Sequence, residues 1–139
     1  MVYAVIDTNI FVSSFITKNE TASTKKVIRS MFNGQIKPLY NDEILEEYSE
    51  VLHRSKFHLD EKDITWLLHF IRENGIDSER FPFDGDMPDE DDRVFYEVAL
   101  SEEDSFLVTG NLKHFPKVPK VVTAAQMIEI IEILEQDFD

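Results

Sequence analysis

Hydrophobic positions along this chain follow two periods, one of strands and one of helices. The chain opens on Val2-Tyr-Ala-Val-Ile6, an apolar run of strand length that stops at Asp7, and a helical pattern follows at once. Short apolar runs rich in β-branched residues read as buried strands, above all parallel ones covered on both faces. Ile10, Phe11, Ser14 and Phe15 then fit one side of a short helix. Val27, Ile28, Met31 and Phe32 mark a second helix over residues 21–32, with Gly34 as its stop. Residues 37–40 are short and extended, and Pro38 predicts an edge position or a strand start. Asn41 and Asp42 are N-cap residues for a helix with the stripe Ile44, Leu45, Tyr48, Val51 and Leu52. A further helix over 61–73 turns Ile64, Leu67, Leu68 and Ile71 inward and closes at Asn74-Gly75.

The second half begins irregularly, and part of residues 80–88 reads as a short strand interrupted by Pro and Gly. The acidic run at 89–92 leads into a helix carrying Val94, Phe95, Val98 and Ala99. Residues 105–109 form a buried strand that turns at Gly110-Asn111. Val121-Val122 is another short strand, and Thr123 caps a last helix running through Leu134. Strands separated by helices predict an α/β fold, a three-layer sandwich with a mostly parallel central sheet and helices on both faces. At 139 residues, 42% of them hydrophobic, the chain suits one domain over 1–139 with a proper core.

Composition removes several classes. The chain has no Cys, so disulfides and thiolate zinc sites are out, and its four His are scattered. No apolar segment approaches the roughly 20 residues that span a bilayer, and the first strand is not a signal peptide. A cytoplasmic protein without a membrane partner is the expectation. Twenty-eight Asp and Glu against fourteen Lys and Arg give a formal net charge of −14. That charge opposes non-specific attraction to a polyanion, although bound cations can reverse the field at one site.

The candidate chemistry is therefore acidic. In open α/β sheets, binding sites lie outside the carboxyl ends of the strands, which puts Asp7 at the mouth of one, with Thr8 and Asn9 beside it. A carboxylate there can hold a metal, attack as a nucleophile, or cap the next helix. At about 100° per residue, Glu47 lies roughly 100° from the centre of its helix's apolar stripe. Glu43, Glu46 and Glu50 point further toward solvent, so Glu47 is the acid that leans inward. Helix capping explains one or two of Asp89, Glu90, Asp91 and Asp92. It does not require four of them, with Asp84 and Asp86 close upstream.

Asp7-Thr8-Asn9 after the first strand, Glu47-Tyr48 on a mid-chain helix, Asp89-x-x-Asp92 at a helix start and Val108-Thr-Gly-Asn111 after a late strand together resemble the PIN domain. The nearest likeness is to toxin components of toxin–antitoxin systems, and it covers nearly the whole chain in order. The resemblance implies a divalent-metal-dependent endoribonuclease that binds Mg²⁺ or Mn²⁺ through Asp7, Glu47 and Asp92, with Asp89 as a neighbouring helper. Cleavage would leave a 5′-phosphate and a 3′-hydroxyl. Thr8, Asn9 and Thr109 would orient carboxylates or phosphate, and turn and cap hydrogen bonds are their alternative roles. Lys113 and His114 would contact RNA phosphate, with Lys25, Lys26 and Arg29 as the other basic group. Expected partners are an RNA substrate, an antitoxin protein and a further copy of the chain.

One departure stands out. Where many PIN domains have Thr-Gly-Asp, this chain has Thr109-Gly110-Asn111. Asparagine offers a metal an oxygen but no charge, so a second metal there would be weaker, with Asp89 or Asp91 as substitutes. The alternative function is a non-catalytic or weakly active module that binds RNA or protein. Haloacid-dehalogenase-type phosphotransferases want an acid where Asn9 stands. A receiver domain wants an Asp ending a central strand, and residues 38–41 do not supply one cleanly.

Overall fold

A computed structural model describes residues 1–136. Its elements in chain order are β1 (Val2–Ile6), α1 (Thr8–Ile16), α2 (Ser23–Phe32), β2 (Ile36–Tyr40), α3 (Asp42–Leu52), α4 (Glu61–Asn74), β3 (Ile76–Asp77), α5 (Arg93–Leu100), β4 (Ser105–Val108), β5 (Val121–Val122) and α6 (Ala124–Gln136). A short 3₁₀ turn, Glu90–Asp92, leads into α5. The strands pair in the order β3-β2-β1-β4-β5, every pair parallel.

Successive strand residues point to opposite faces, yet Ala4, Val5 and Ile6 are all fully buried. Both faces of the sheet are therefore covered, and the expected three-layer α/β sandwich is what the chain forms. Helix α5 packs on β1, β2 and β4, while α1 packs against α2, α2 against α6, and α3 against α4.

Strand β1 is central, and the chain leaves it in two directions. It winds first through β2 to β3, then returns to β4 and β5 on the other side. The crevice between β1 and β4 is thus the topological switch point, where open sheets bind ligands. The register Ile6↔Val108 brings both strands to the same edge, and Asp7 N–H extends the ladder to the Val108 carbonyl at 2.9 Å.

Two sequence expectations are corrected here. Pro38 stands in an inner strand, because β3 lies outside β2. Strand β3 pairs only with Leu39 and Tyr40, so beside Pro38 there is no ladder donor to lose. The strand expected within 80–88 is absent: that segment is irregular, and the strand is instead Ile76–Asp77. Gly75 explains the placement. A Cβ there would sit 2.6 Å from the carbonyl oxygens of Ile71 and Pro38, so only glycine lets α4 end against β2 and turn at once into β3. The helix stop at Gly34 is as expected, in the left-handed region at φ +87°.

Candidate active site

Asp7 is placed by the end of β1 and the start of α1. It holds the N-cap position of α1, without a side-chain cap bond. The residue is 7% exposed, and its carboxylate accepts a 2.7 Å hydrogen bond from the Thr109 hydroxyl, across the crevice from β4. Thr109 is itself fully buried, and its Oγ1 accepts the Asn111 amide at 3.0 Å. Burial raises the pKa of Asp7, with the Thr109 bond and the nearby Thr8 and Asn9 amides opposing.

Glu47 comes from α3, whose start is fixed by Asn41 Oδ1 accepting Ile44 N–H at 2.9 Å. One turn on, Glu47 is half-buried and accepts a 2.5 Å hydrogen bond from the Thr8 hydroxyl. Its pKa is raised by desolvation first, against the Thr8 bond, and then by the charges of Asp7, Asp92 and Asp91. The next residue, Tyr48, is fully buried and donates to the carbonyl of Ile6, directly before Asp7. Two consecutive α3 residues thus tie that helix to the end of β1.

Asp92 ends the 3₁₀ turn before α5, and Asp89 caps that turn by accepting the Asp91 amide at 3.0 Å. The Asp92 side chain is 15% exposed. Its Oδ2 is buried with no hydrogen-bond partner among the described residues. His114 Nδ1 stands 3.3 Å from it, within ion-pair range but outside hydrogen-bond geometry. Burial, followed by the charges of Asp7 and Asp89, pushes the Asp92 pKa up to about 6.

Asp7, Glu47 and Asp92, expected from the sequence to share a site, therefore act on one another's charge at the carboxyl end of the sheet. Among the described residues, no three acidic or histidine side chains already stand as a ligand set for one ion. Asn9 ties the start of α1 to the turn after β4, its Oδ1 accepting Gly110 N–H at 3.1 Å. Asn111 touches His114, Nδ2 to Nε2 at 2.9 Å. Lys113 lies on the exposed side of the same turn, while Lys25 and Arg29 are paired with Glu20 at 3.1 and 2.8 Å.

Two features here escape sequence reading. His114, expected only as a phosphate contact, turns toward Asp92. Glu97, among the apolar residues of α5, is buried; it binds Arg80 Nε at 2.7 Å and Phe83 N–H at 2.8 Å. An acid within that stripe was the available signal. With Arg93, which donates to the Phe83 and Gly85 carbonyls, Glu97 pins the irregular segment that delivers the 89–92 turn.

An all-oxygen, acidic donor set with one buried, unpartnered carboxylate oxygen is what hard divalent cations select. A family model of the PIN domain matches residues 3–113, and the chain belongs to that family. Neither a curated protein nor a solved structure matches the chain. PIN domains are generally nucleases, hydrolases that typically use divalent metal ions. No helix among the described residues is long and apolar enough to cross a membrane.

Proposed function

We propose that this chain is a divalent-metal-dependent endoribonuclease and the toxin of a toxin–antitoxin pair. What supports the reading is the buried, unpartnered Oδ2 of Asp92 at the carboxyl end of the sheet, on a carboxylate whose charge bears on Glu47 and is itself acted on by Asp7. Those three would hold Mg²⁺ or Mn²⁺, with Asp89 close by. When bound, such an ion lowers the pKa of a water nucleophile and neutralises charge on the scissile phosphate.

The chain's own groups prepare that site. Thr109 fixes one oxygen of Asp7 and Thr8 one oxygen of Glu47, which limits the rotation of both carboxylates. Tyr48 locks the backbone just before Asp7. Lys113, on the exposed turn beside the site, supplies positive charge for the RNA backbone on a surface that is otherwise acidic.

The test is cleavage of varied RNAs by highly purified protein with Mn²⁺, Mg²⁺ or chelator. Wild type cleaves only with metal, and Asp7→Asn and Asp92→Asn lose activity while keeping the fold. Expression of wild type arrests growth, and expression of Asp7→Asn does not. A second reading, a binding module without catalysis, draws on Asn111, which brings no charge where many relatives carry Asp. Activity surviving in both Asp variants, or absent from wild type and from Asn111→Asp alike, would decide for that module.

A further inference from the structure

Asn111 and His114 are one unit in this structure, and neither is explained by a three-carboxylate site. We infer that His114, rather than Asn111, supplies the remaining protein ligand of the metal centre, through Nδ1, and that Asn111 orients it; this rests on the metal-site reading above.

Three observations carry the inference. First, His114 Nδ1 lies 3.3 Å from the buried, unpartnered Oδ2 of Asp92. Two atoms bound to one ion at about 2.1 Å stand about 3 Å apart across a right angle. The observed pair needs little movement to share an ion. Second, a positive charge on His114 would favour the ionised forms of both Asp7 and Asp92, so the ring lies near enough to act on each. Third, the far ring nitrogen, Nε2, is engaged by the Asn111 side chain at 2.9 Å.

Metal-bound histidines characteristically donate their other ring N–H to an oxygen, which fixes the tautomer. With its carboxamide turned, Asn111 presents Oδ1 to Nε2–H. The single proton of the neutral ring then sits on Nε2, and the Nδ1 lone pair faces Asp92. Turning an amide exchanges atoms of nearly equal size at one place. The Asn111 backbone is held by Thr109, which also holds Asp7, so one hydroxyl sets both sides of the site. Asparagine in place of the more common acid is then the orienter of a ligand.

An imidazole nitrogen among oxygens changes metal choice. Mg²⁺ takes oxygen almost exclusively, whereas imidazole suits transition ions. The site should therefore favour Mn²⁺ over Mg²⁺. The experiment titrates Mn²⁺ and Mg²⁺ into wild type, His114→Ala, Asn111→Ala and Asp7→Asn by calorimetry. Pulsed electron paramagnetic resonance of the Mn²⁺-loaded proteins then looks for coupling to imidazole ¹⁴N.

Wild type should show the nitrogen coupling and His114→Ala should lose it. Mn²⁺ affinity should fall about tenfold or more in His114→Ala and less in Asn111→Ala, with Mg²⁺ affinity nearly constant. His114 is 47% exposed on its side chain, so the alanine variant keeps its fold, which circular dichroism checks. A role as counter-charge alone gives the opposite sign, because its removal would tighten both cations. An unchanged Mn²⁺ to Mg²⁺ ratio, or no nitrogen coupling in Mn²⁺-loaded wild type, overturns the assignment while Asp7→Asn still loses binding. If Asp7→Asn binds like wild type, the metal-site reading falls and the His114 assignment with it.

Discussion

Asp92 pays for its position with an oxygen that no hydrogen-bond donor among the described residues satisfies, and that cost depends on pH. Its pKa is about 6 in the folded chain against an ordinary 3.8. The folded state therefore binds the proton more tightly than the unfolded one, so stability declines as pH rises from about 4 through 6, and the penalty is complete above that. Asp92→Asn should stabilise the metal-free protein at pH 7, on the order of 1 kcal/mol after solvent screening is allowed for. The gain should vanish below pH 4. Thermal melts of both proteins across pH 4–8 check it, and parallel curves would contradict the assignment. Thr109 gives the converse case. Thr109→Val keeps shape but leaves Asp7 and the Asn111 amide without their partner, a loss of about 1–3 kcal/mol in denaturant unfolding. At this scale Asp7 was legible because a charged residue ended an apolar strand, and Glu47 because helical phase set it apart from Glu43, Glu46 and Glu50. His114 was legible only as a basic residue after the Asn111 turn. Its approach to Asp92 joins two segments that only the assembled sheet brings together.

Among the elements, those with strong periodicity declared themselves and those made by close approach did not. The helix α4 stripe and the Asn41 cap of α3 were readable because each is local to a turn or two of chain. Strand β3 is two exposed residues, Ile76 and Asp77, with no pattern to detect, and it exists because Gly75 lets α4 stop against β2. Pro38 misled for a related reason: its tolerance depends on where β3 begins, which is a tertiary fact. Gly75→Ala should therefore cost about 1–3 kcal/mol by overpacking, although its φ of −90° suits alanine. A change within 0.5 kcal/mol in urea unfolding would remove that account. The segment holding the acidic turn is set by Glu97, whose two carboxylate oxygens take Arg80 and the Phe83 amide. Glu97→Ala leaves those donors unpaired beside α5. Faster proteolysis within residues 78–89 is expected, with the sheet intact by circular dichroism.

For the whole molecule, the net charge of −14 and the proposed metal site would make separable contributions to stability. General acidic repulsion acts over a Debye length, about 10 Å at 0.1 M salt, and is screened by any electrolyte. Repulsion among Asp7, Glu47 and Asp92 is screened less, because these carboxylates are buried or partly buried. Sodium chloride should thus raise the melting temperature of wild type and Asp7→Asn by similar amounts. A divalent ion at the proposed site should act differently, since it would bind the assembled site and not the unfolded chain. At a hundredfold excess over its dissociation constant the stabilisation is about 2.7 kcal/mol. For a chain of this size that corresponds to roughly 3 °C per kcal/mol, or on the order of 8 °C. Asp7→Asn should start from a higher metal-free melting temperature, because a buried charge is gone, and should lose most of the response to Mn²⁺. Melts at fixed ionic strength, with Mn²⁺, Mg²⁺ or chelator, separate the two effects. Equal Mn²⁺ responses in wild type and Asp7→Asn would show that the ion binds the acidic surface at large and not the crevice at the switch point.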